Sequence, residues 1–191
     1  MPVPECLFEP RCDGEVCNFK FCGLEHSIYV AFHGNIAKVG MTVSERLRER
    51  LIEQGADAFM VAARLPGRKS ARALESELAE KLSLRQRVRI IESMAMLKEP
   101  VPYWEIENAY VDIVGKLEML GFRPGQLKFL EGYPLKQPLG EMPVEVKAQG
   151  LHEGKPVGVK GKLFIYENGG LKALCLQSLP GRHITRNSEC P

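Results

Sequence analysis

The sequence has no continuous apolar run that approaches the roughly 18 residues of a membrane-spanning helix. Its first residues, MPVPECLFEPRC, lack the basic start and apolar stretch that mark a secretory signal. Internal repeats and low-complexity tracts are missing as well. We therefore expect a chain that does not span a membrane and that works in the cytoplasm.

Strong charge of either sign is also missing. The 26 Lys and Arg and 24 Asp and Glu of the 191 residues leave a net charge of +2, which by itself does not indicate a nucleic-acid-binding protein. The basic side chains are unevenly placed, however. Residues 38–89 contain twelve Lys or Arg and seven Asp or Glu, so this segment carries +5. An apolar content of 45% and a charged content of 26% are typical of a globular protein.

The sequence lacks the paired CxxC motifs of the common zinc sites, but five metal-binding side chains are clustered near its start. Cys6, Cys12, Cys17, Cys22 and His26 follow the spacing C-x5-C-x4-C-x4-C-x3-H. Thiolates and imidazoles bind zinc tetrahedrally, and a turn-rich segment this short needs such a ligand to fold. We predict structural zinc held by four of these five side chains. Disulfides and unligated or redox-active thiols are the alternatives, and a reducing compartment favours zinc.

The patterns along the chain predict an α+β protein. The predicted segments are a Cys-rich zinc segment at 1–25, a small α/β core with an antiparallel sheet at 26–83, a helical segment at 84–123 and a β-rich module at 124–191. In the core, SIYVAF and IAKVGM form a hairpin around HGN, and AFMVAARL is a third strand. VSERLRERLIEQ and GRKSARALESELAEKL have the apolar spacing of helices, the first ending at Gly55. LRQRVRIIESMAML and YWEIENAYVDIVGKLEMLGF predict two further helices around a break at KEPVP.

Residues 26–85 resemble the GIY-YIG endonuclease superfamily. That superfamily places Ile-Tyr on a first strand and Tyr-Ile-Gly on the next, followed by a helix with Arg and a later helix with Glu. The corresponding residues, in chain order, are Ile28, Tyr29, Val39, Gly40, Thr42, Arg48 or Arg50, and Glu75.

The whole chain also resembles a family of archaeal and bacterial proteins catalogued as a domain of unknown function. The shared features are the N-terminal Cys cluster, Glu25-His26 before Tyr29, Lys38-Val39-Gly40, the motif R-x-x-EQGA as RLIEQGA at 50–56, and GVKG at 158–161. This second resemblance implies no activity.

The superfamily resemblance implies a role for each matched polar residue. Tyr29 would orient or activate the nucleophile, Arg48 or Arg50 would bind the phosphate, and Glu75 would hold Mg²⁺ or Mn²⁺. Phosphodiester hydrolysis needs these three contributions, because water must be positioned and the negative charge of the transition state stabilised. The resemblance thus predicts a divalent-metal-dependent endonuclease acting on DNA or RNA.

Two departures from the superfamily pattern open an alternative. Lys38 stands where the second signature Tyr is expected, and Ser27 replaces the first Gly. A lysine can contact a phosphate as a point charge without performing the proton chemistry of a tyrosine. The chain could therefore be a zinc-containing nucleic-acid-binding module, or a scaffold for protein interactions. The predicted phosphate contacts are Lys38, Arg48, Arg50, Arg68 and Lys69.

Helical geometry gives one independent argument about the acidic residue. At 100° per residue, Glu75 lies at the border of the apolar stripe of its helix, whereas Glu77 points away from it. A carboxylate at such a border needs a partner or a function. The same geometry does not choose between Arg48 and Arg50, because they flank their stripe on opposite sides.

Each candidate also has a purely structural interpretation. Tyr29 could be a core aromatic whose hydroxyl reaches the rim. The arginines of the first helix could form a solvated face of salt bridges. Lys160 and Lys162 could solubilise a strand edge. The three arginines of RQRVRI could face either phosphate or solvent.

Overall fold

The computed structural model describes residue 6, residues 10–13 and residues 20–181. Four strands form a first sheet in the order β2-β1-β3-β4. They are β1 (His26–His33), β2 (Ile36–Val43), β3 (Ala58–Leu65) and the short β4 (Lys128–Phe129), and all neighbours are antiparallel. The predicted hairpin is confirmed, with Gly34 in the left-handed region (φ +53) at its turn.

Both faces of β1 are covered, so all eight of its residues are buried. The four helices are α1 (Leu47–Gln54), α2 (Arg68–Lys81), α3 (Ile90–Lys98) and α4 (Tyr103–Met119). Helices α2 and α4 cover one face, where Val30 packs with Leu78 and Ile106. Helix α1 covers the other face, where Leu51 packs with Tyr29. Tyr29 therefore faces α1. No helix among the described residues has the length and apolar character needed to cross a bilayer.

Four further strands form a second sheet in the order β5-β8-β7-β6. They are β5 (Val144–Val146), β6 (Lys155–Lys160), β7 (Leu163–Glu167) and β8 (Leu171–Cys175). Strand β5 runs parallel to β8, and the other pairs are antiparallel. This sheet packs on α3, where Met94 and Leu97 share a core with Leu163 and Ile165. The mixed α+β class predicted from the sequence is confirmed.

The helix predicted to begin at Leu84 begins instead at Ile90. The preceding residues 84–89 are not helical, and Arg85 forms a bridge to the outer edge of β2, where the Val39 N–H donates to the Arg85 carbonyl at 2.9 Å. Glu92 then accepts the Arg89 N–H at 3.0 Å and caps the helix. The prediction was wrong for residues 84–89: the apolar spacing fits a helix, whereas the Leu84 N–H bonds to the Ala79 carbonyl and Arg85 pairs with the sheet edge.

The two sheets meet where two glycines lie against each other. Gly161 has φ +56, and a Cβ on it would lie 2.5 Å from the Gly55 nitrogen. Lys160, next to it, is only 9% exposed, and its Nζ lies 2.5 Å from Asp57 Oδ1 and 3.2 Å from Gln137 Oε1. The interpretation of Lys160 as a solubilising edge charge is therefore wrong. Its charge is buried because Asp57 neutralises it.

Candidate functional site

A cleft of about 400 Å³ opens beside α1 and is lined by four cationic side chains. Lys38 comes from β2, Arg50 from α1, Arg87 from the extended segment before α3, and Lys162 from the turn between β6 and β7. The remaining lining residues are uncharged at neutral pH: His33, Gln54, Gln86, Val88, Ser93 and Gln177. None of the described residues that line this basic cleft is an Asp or Glu, so its positive charge is not balanced from within.

The surroundings of Lys38 lower its pKa. Its amine makes no hydrogen bond or ion pair with the part of the chain that the structure describes. Burial lowers the pKa of Lys38 from 10.5 to about 8, and the charges of Arg50, Lys162 and Arg87 add to this effect, while Glu75 opposes it. An anion bound in the basic cleft would relieve this repulsion.

Tyr29 is connected to the cleft through Gln54, a lining residue to which it is hydrogen-bonded. Its side chain is 1% exposed, and its hydroxyl oxygen accepts a hydrogen bond from Gln54 Nε2 at 2.9 Å. Burial raises the pKa of Tyr29 above its usual 10.0, the hydrogen bond from Gln54 and the charge of Arg50 lower it in part, and Glu75 raises it. The ring lies over Gly40, where a Cβ would sit 2.7 Å from the Tyr29 hydroxyl. The glycine of KVG is therefore required by the tyrosine of SIY.

A water-sized cavity of about 20 Å³ adjoins the base of the cleft. His33 and Gln54 both line it, and two of their buried atoms, His33 Nε2 and Gln54 Oε1, have no hydrogen-bond partner among the described residues. Burial lowers the pKa of His33 from 6.5 to about 4, with Lys38 contributing in the same direction, so the ring is neutral at pH 7. These two polar atoms are buried, so they face the small cavity, which has room for about one water molecule, and not the open cleft.

Glu75 does not line the cleft, although its charge acts on both Tyr29 and Lys38. Its side chain is 9% exposed and accepts a bond from Arg72 Nη1 at 2.5 Å. As the helical geometry predicted, the carboxylate at the border of the stripe has a partner, whereas Glu77 points outward to Lys81. No cluster of three or more His, Cys, Asp or Glu with metal-binding geometry occurs among the described residues. Glu75 would therefore fit Mg²⁺ only with Arg72 displaced and with substrate oxygens supplying the other ligands.

The structure separates the two arginines that the sequence left equivalent. Arg50 lines the basic cleft and bonds Glu53 Oε2 at 3.0 Å. Arg48 lies on the other side of α1, near Tyr133 and Pro134.

Arg68 and Lys69 lie at the start of α2, away from the basic cleft. Arg68 Nη1 lies 3.8 Å from Cys22 Sγ, and the Lys69 N–H donates to Asp13 Oδ1 at 2.6 Å. Of the predicted phosphate contacts, Lys38 and Arg50 therefore come together, whereas Arg48, Arg68 and Lys69 lie elsewhere.

The predicted zinc ligands are described in part. Cys6, Cys22 and His26 are buried, Cys12 is half-buried, and Cys17 lies outside the described residues. His26 Nδ1 lies 2.8 Å from the Leu24 carbonyl, so a neutral ring that donates there would leave Nε2 free for a metal. This contact of His26 is one that a zinc ligand can make, but no three of the described Cys6, Cys12, Cys22 and His26 come together as a metal-binding group, and the zinc site stays a prediction.

Two cleft residues carried little or no signal in the sequence. Arg87 belongs to RQRVRI, where the alternating charge did not distinguish phosphate from solvent; Arg85 and Arg89, its neighbours in that motif, both bind Glu92. Lys162 lies far along the chain and is brought to the cleft by the docking of the second sheet. A larger cavity of about 490 Å³ lies nearby, but its Lys160 and Asp57 neutralise each other. The basic cleft is therefore the stronger candidate for binding an anion.

The comparisons with known proteins add family membership. No curated protein and no solved structure matched the chain. Residues 9–181 match the family described as "Protein of unknown function (DUF2797)". This match covers both sheets, all four helices and every residue of the basic cleft. The chain therefore belongs to the DUF2797 family.

Proposed function

We propose that this protein binds the sugar–phosphate backbone of DNA or RNA in the basic cleft. The observation that carries the proposal is the convergence of Lys38, Arg50, Arg87 and Lys162, with no carboxylate among the lining residues that the structure describes. Four cations from four separate elements provide the charge that phosphate contacts require.

A second candidate is a GIY-YIG-like, divalent-metal-dependent endonuclease at the same place. It is supported by the electrostatic coupling of Tyr29 to Arg50 and Glu75, the three residue types that the resemblance assigns to catalysis. Tyr29 accepts its bond from Gln54, so that bond does not use the hydroxyl proton of Tyr29. Against this candidate stand the burial of Glu75 and its pairing with Arg72. Backbone binding is therefore the function the geometry supports better.

Salt-dependent binding tests the first proposal. Labelled single-stranded, duplex and branched DNA and RNA would be titrated with the protein between 50 and 200 mM salt, roughly the range over which phosphate contacts lose most affinity. Arg87→Gln and Lys162→Gln should each weaken binding and lower the slope of log K against log salt by about 1. Lys81→Gln removes an exposed, paired lysine outside the cleft and is the matched control. Equal effects of all three variants, or no salt-dependent binding, would refute the proposal and favour a protein-interaction scaffold.

The endonuclease candidate needs a separate assay. The same substrates would be incubated with Mg²⁺ or Mn²⁺ and either the native protein or Glu75→Gln, which removes the charge of the carboxylate and nearly preserves its shape. Cleavage that is lost in the variant while binding persists would establish catalysis. Binding without cleavage would leave the non-catalytic function, and equal cleavage by both proteins would exclude a role for Glu75.

A further inference from the structure

The amine of Lys38 lies near the three other cations that line the basic cleft. Arg50 on α1, Arg87 before α3 and Lys162 between β6 and β7 all act on it. The acid that acts on it, Glu75 of α2, is itself bound to Arg72. His33 of β1 is neutral and adds no charge at pH 7. Lys38 is therefore a half-buried amine without an acidic partner among the described residues.

Such surroundings favour the uncharged form of an amine, which is its nucleophilic form. With a pKa of about 8, about a quarter of Lys38 is uncharged at pH 7.5, against about 0.1% for a lysine at the ordinary value. A bound phosphate would reduce the repulsion from the arginines but would leave the larger contribution, burial, in place. The cleft thus combines an anion site with a nucleophile.

We propose that Lys38 forms an imine with an aldehyde on a phosphate-bearing molecule held by Arg50, Arg87 and Lys162. This inference rests on the proposed function, because it uses the same phosphate site. The uncharged Nζ adds to the carbonyl carbon, the carbonyl oxygen leaves as water, and a C=N bond replaces the C=O bond. Two sources share this chemistry: the ring-opened sugar of an abasic site in a nucleic acid, and a free sugar phosphate.

Pyridoxal 5′-phosphate is a suitable first probe, because it carries an aldehyde and a phosphate and its imine absorbs visible light. The full chain would be treated at pH 7.5, reduced with borohydride, which adds hydride to the C=N bond, and mapped by mass spectrometry. We expect Lys38 to be labelled at least about tenfold faster than Lys81 or Lys116, whose amines are exposed and paired. Pyridoxal, which lacks the phosphate, should label Lys38 about tenfold more slowly.

Variants distinguish a reactive amine from a simple phosphate contact. Lys38→Arg keeps the charge but cannot form an imine, so it should lose the absorbance and the labelled peptide while retaining the fold by circular dichroism. The labelling rate of the native chain should rise with pH to half its maximum near 8. Labelling of Lys38 no faster than of Lys81, or unaffected by the phosphate, would overturn the inference.

The two sources are separated by trapping with an oligonucleotide that contains one abasic site and, in parallel, with ribose 5-phosphate. Adducts with the oligonucleotide alone would assign nucleic acid as the source, and adducts with ribose 5-phosphate alone would assign a free sugar phosphate. Adducts with neither would overturn the inference. Binding of an intact oligonucleotide is measured independently. Binding of the intact oligonucleotide without any trapped adduct would refute only the imine. Trapping of ribose 5-phosphate without binding of the oligonucleotide would refute the proposed nucleic-acid function.

Discussion

Replacing Lys38 with Met should make the protein more stable at pH 7. Methionine has nearly the same length and no charge, so it relieves the repulsion within the basic cleft without leaving a cavity. Each pKa unit is worth about 1.4 kcal/mol, so the shift of Lys38 from 10.5 to about 8 corresponds to about 3 kcal/mol. Because the side chain is only half-buried, solvent screening reduces this value, and we expect a gain of about 1 to 2 kcal/mol in the free energy of unfolding.

The pH dependence of this gain follows from the direction of the shift. Between pH 8 and 10.5 the unfolded chain keeps the Lys38 proton that the folded chain has lost, so the stability of the native protein rises with pH across this window. The advantage of the Met variant should therefore be complete at pH 7, fall to about half near pH 9 and disappear near pH 10.5.

Urea denaturation followed by far-ultraviolet circular dichroism at pH 7 and pH 9 would measure both values. Lys81→Met is the control, because Lys81 is half-exposed and pairs with Glu77 on the surface of α2. It should lose about 0.5 kcal/mol or less, with no change between the two pH values. A Lys38→Met variant that is destabilised at pH 7, or whose gain does not shrink at pH 9, would refute the uncompensated charge in the cleft.

Three further results follow from other parts of the structure. Gly40→Ala places a Cβ 2.7 Å from the Tyr29 hydroxyl and should lower the free energy of unfolding, measured by thermal unfolding, by about 2 kcal/mol. Gly115→Ala, on α4 with open space around it, should raise it by about 0.5 kcal/mol, and equal effects of the two variants would contradict the close packing at Gly40. Because His33 is buried in its neutral form, its contribution to stability is complete above pH 6.5 and is lost as the pH falls toward 4. In urea titrations, the native protein should therefore lose about 2 kcal/mol of its free energy of unfolding between pH 7 and 4.5, and His33→Gln should lose less over the same interval. Metal analysis should find about one zinc per chain. Chelation or Cys22→Ser should remove the zinc and lower the stability of the protein, and a native protein that contains no metal and is not destabilised by a chelator would exclude the zinc site.

The sequence predicted those elements whose apolar pattern and end signals agree. The hairpin of β1 and β2, the end of α1 at Gly55 and the position of Glu75 at the border of its helical stripe all depend on local spacing. Residues 84–89 have the same local pattern as a helix, but Arg85 pairs instead with Lys38 at the edge of β2. The backbone partner that decided the outcome is distant in sequence, so no local pattern could reveal it.

The candidate site was predictable only where it depends on one segment. Lys38 and Arg50 lie within residues 26–85, the segment that resembles the GIY-YIG superfamily, and both line the basic cleft. The choice of Arg50 over Arg48 required knowing what packs on each side of α1. Lys162 joins through the contact of Gly161 with Gly55, a relation between residues far apart along the chain.

That glycine contact also sets the order in which the protein can assemble during synthesis. The basic cleft needs Lys38 and Lys162 together, so it cannot exist until the chain up to the turn after β6 has left the ribosome. Contacts between such distant residues form late and slowly, because a long loop must close first. A nascent chain therefore passes through the RNA-rich surroundings of the ribosome with Lys162 still apart from the other three cations, and it gains the assembled cleft only after the turn that follows β6 has emerged.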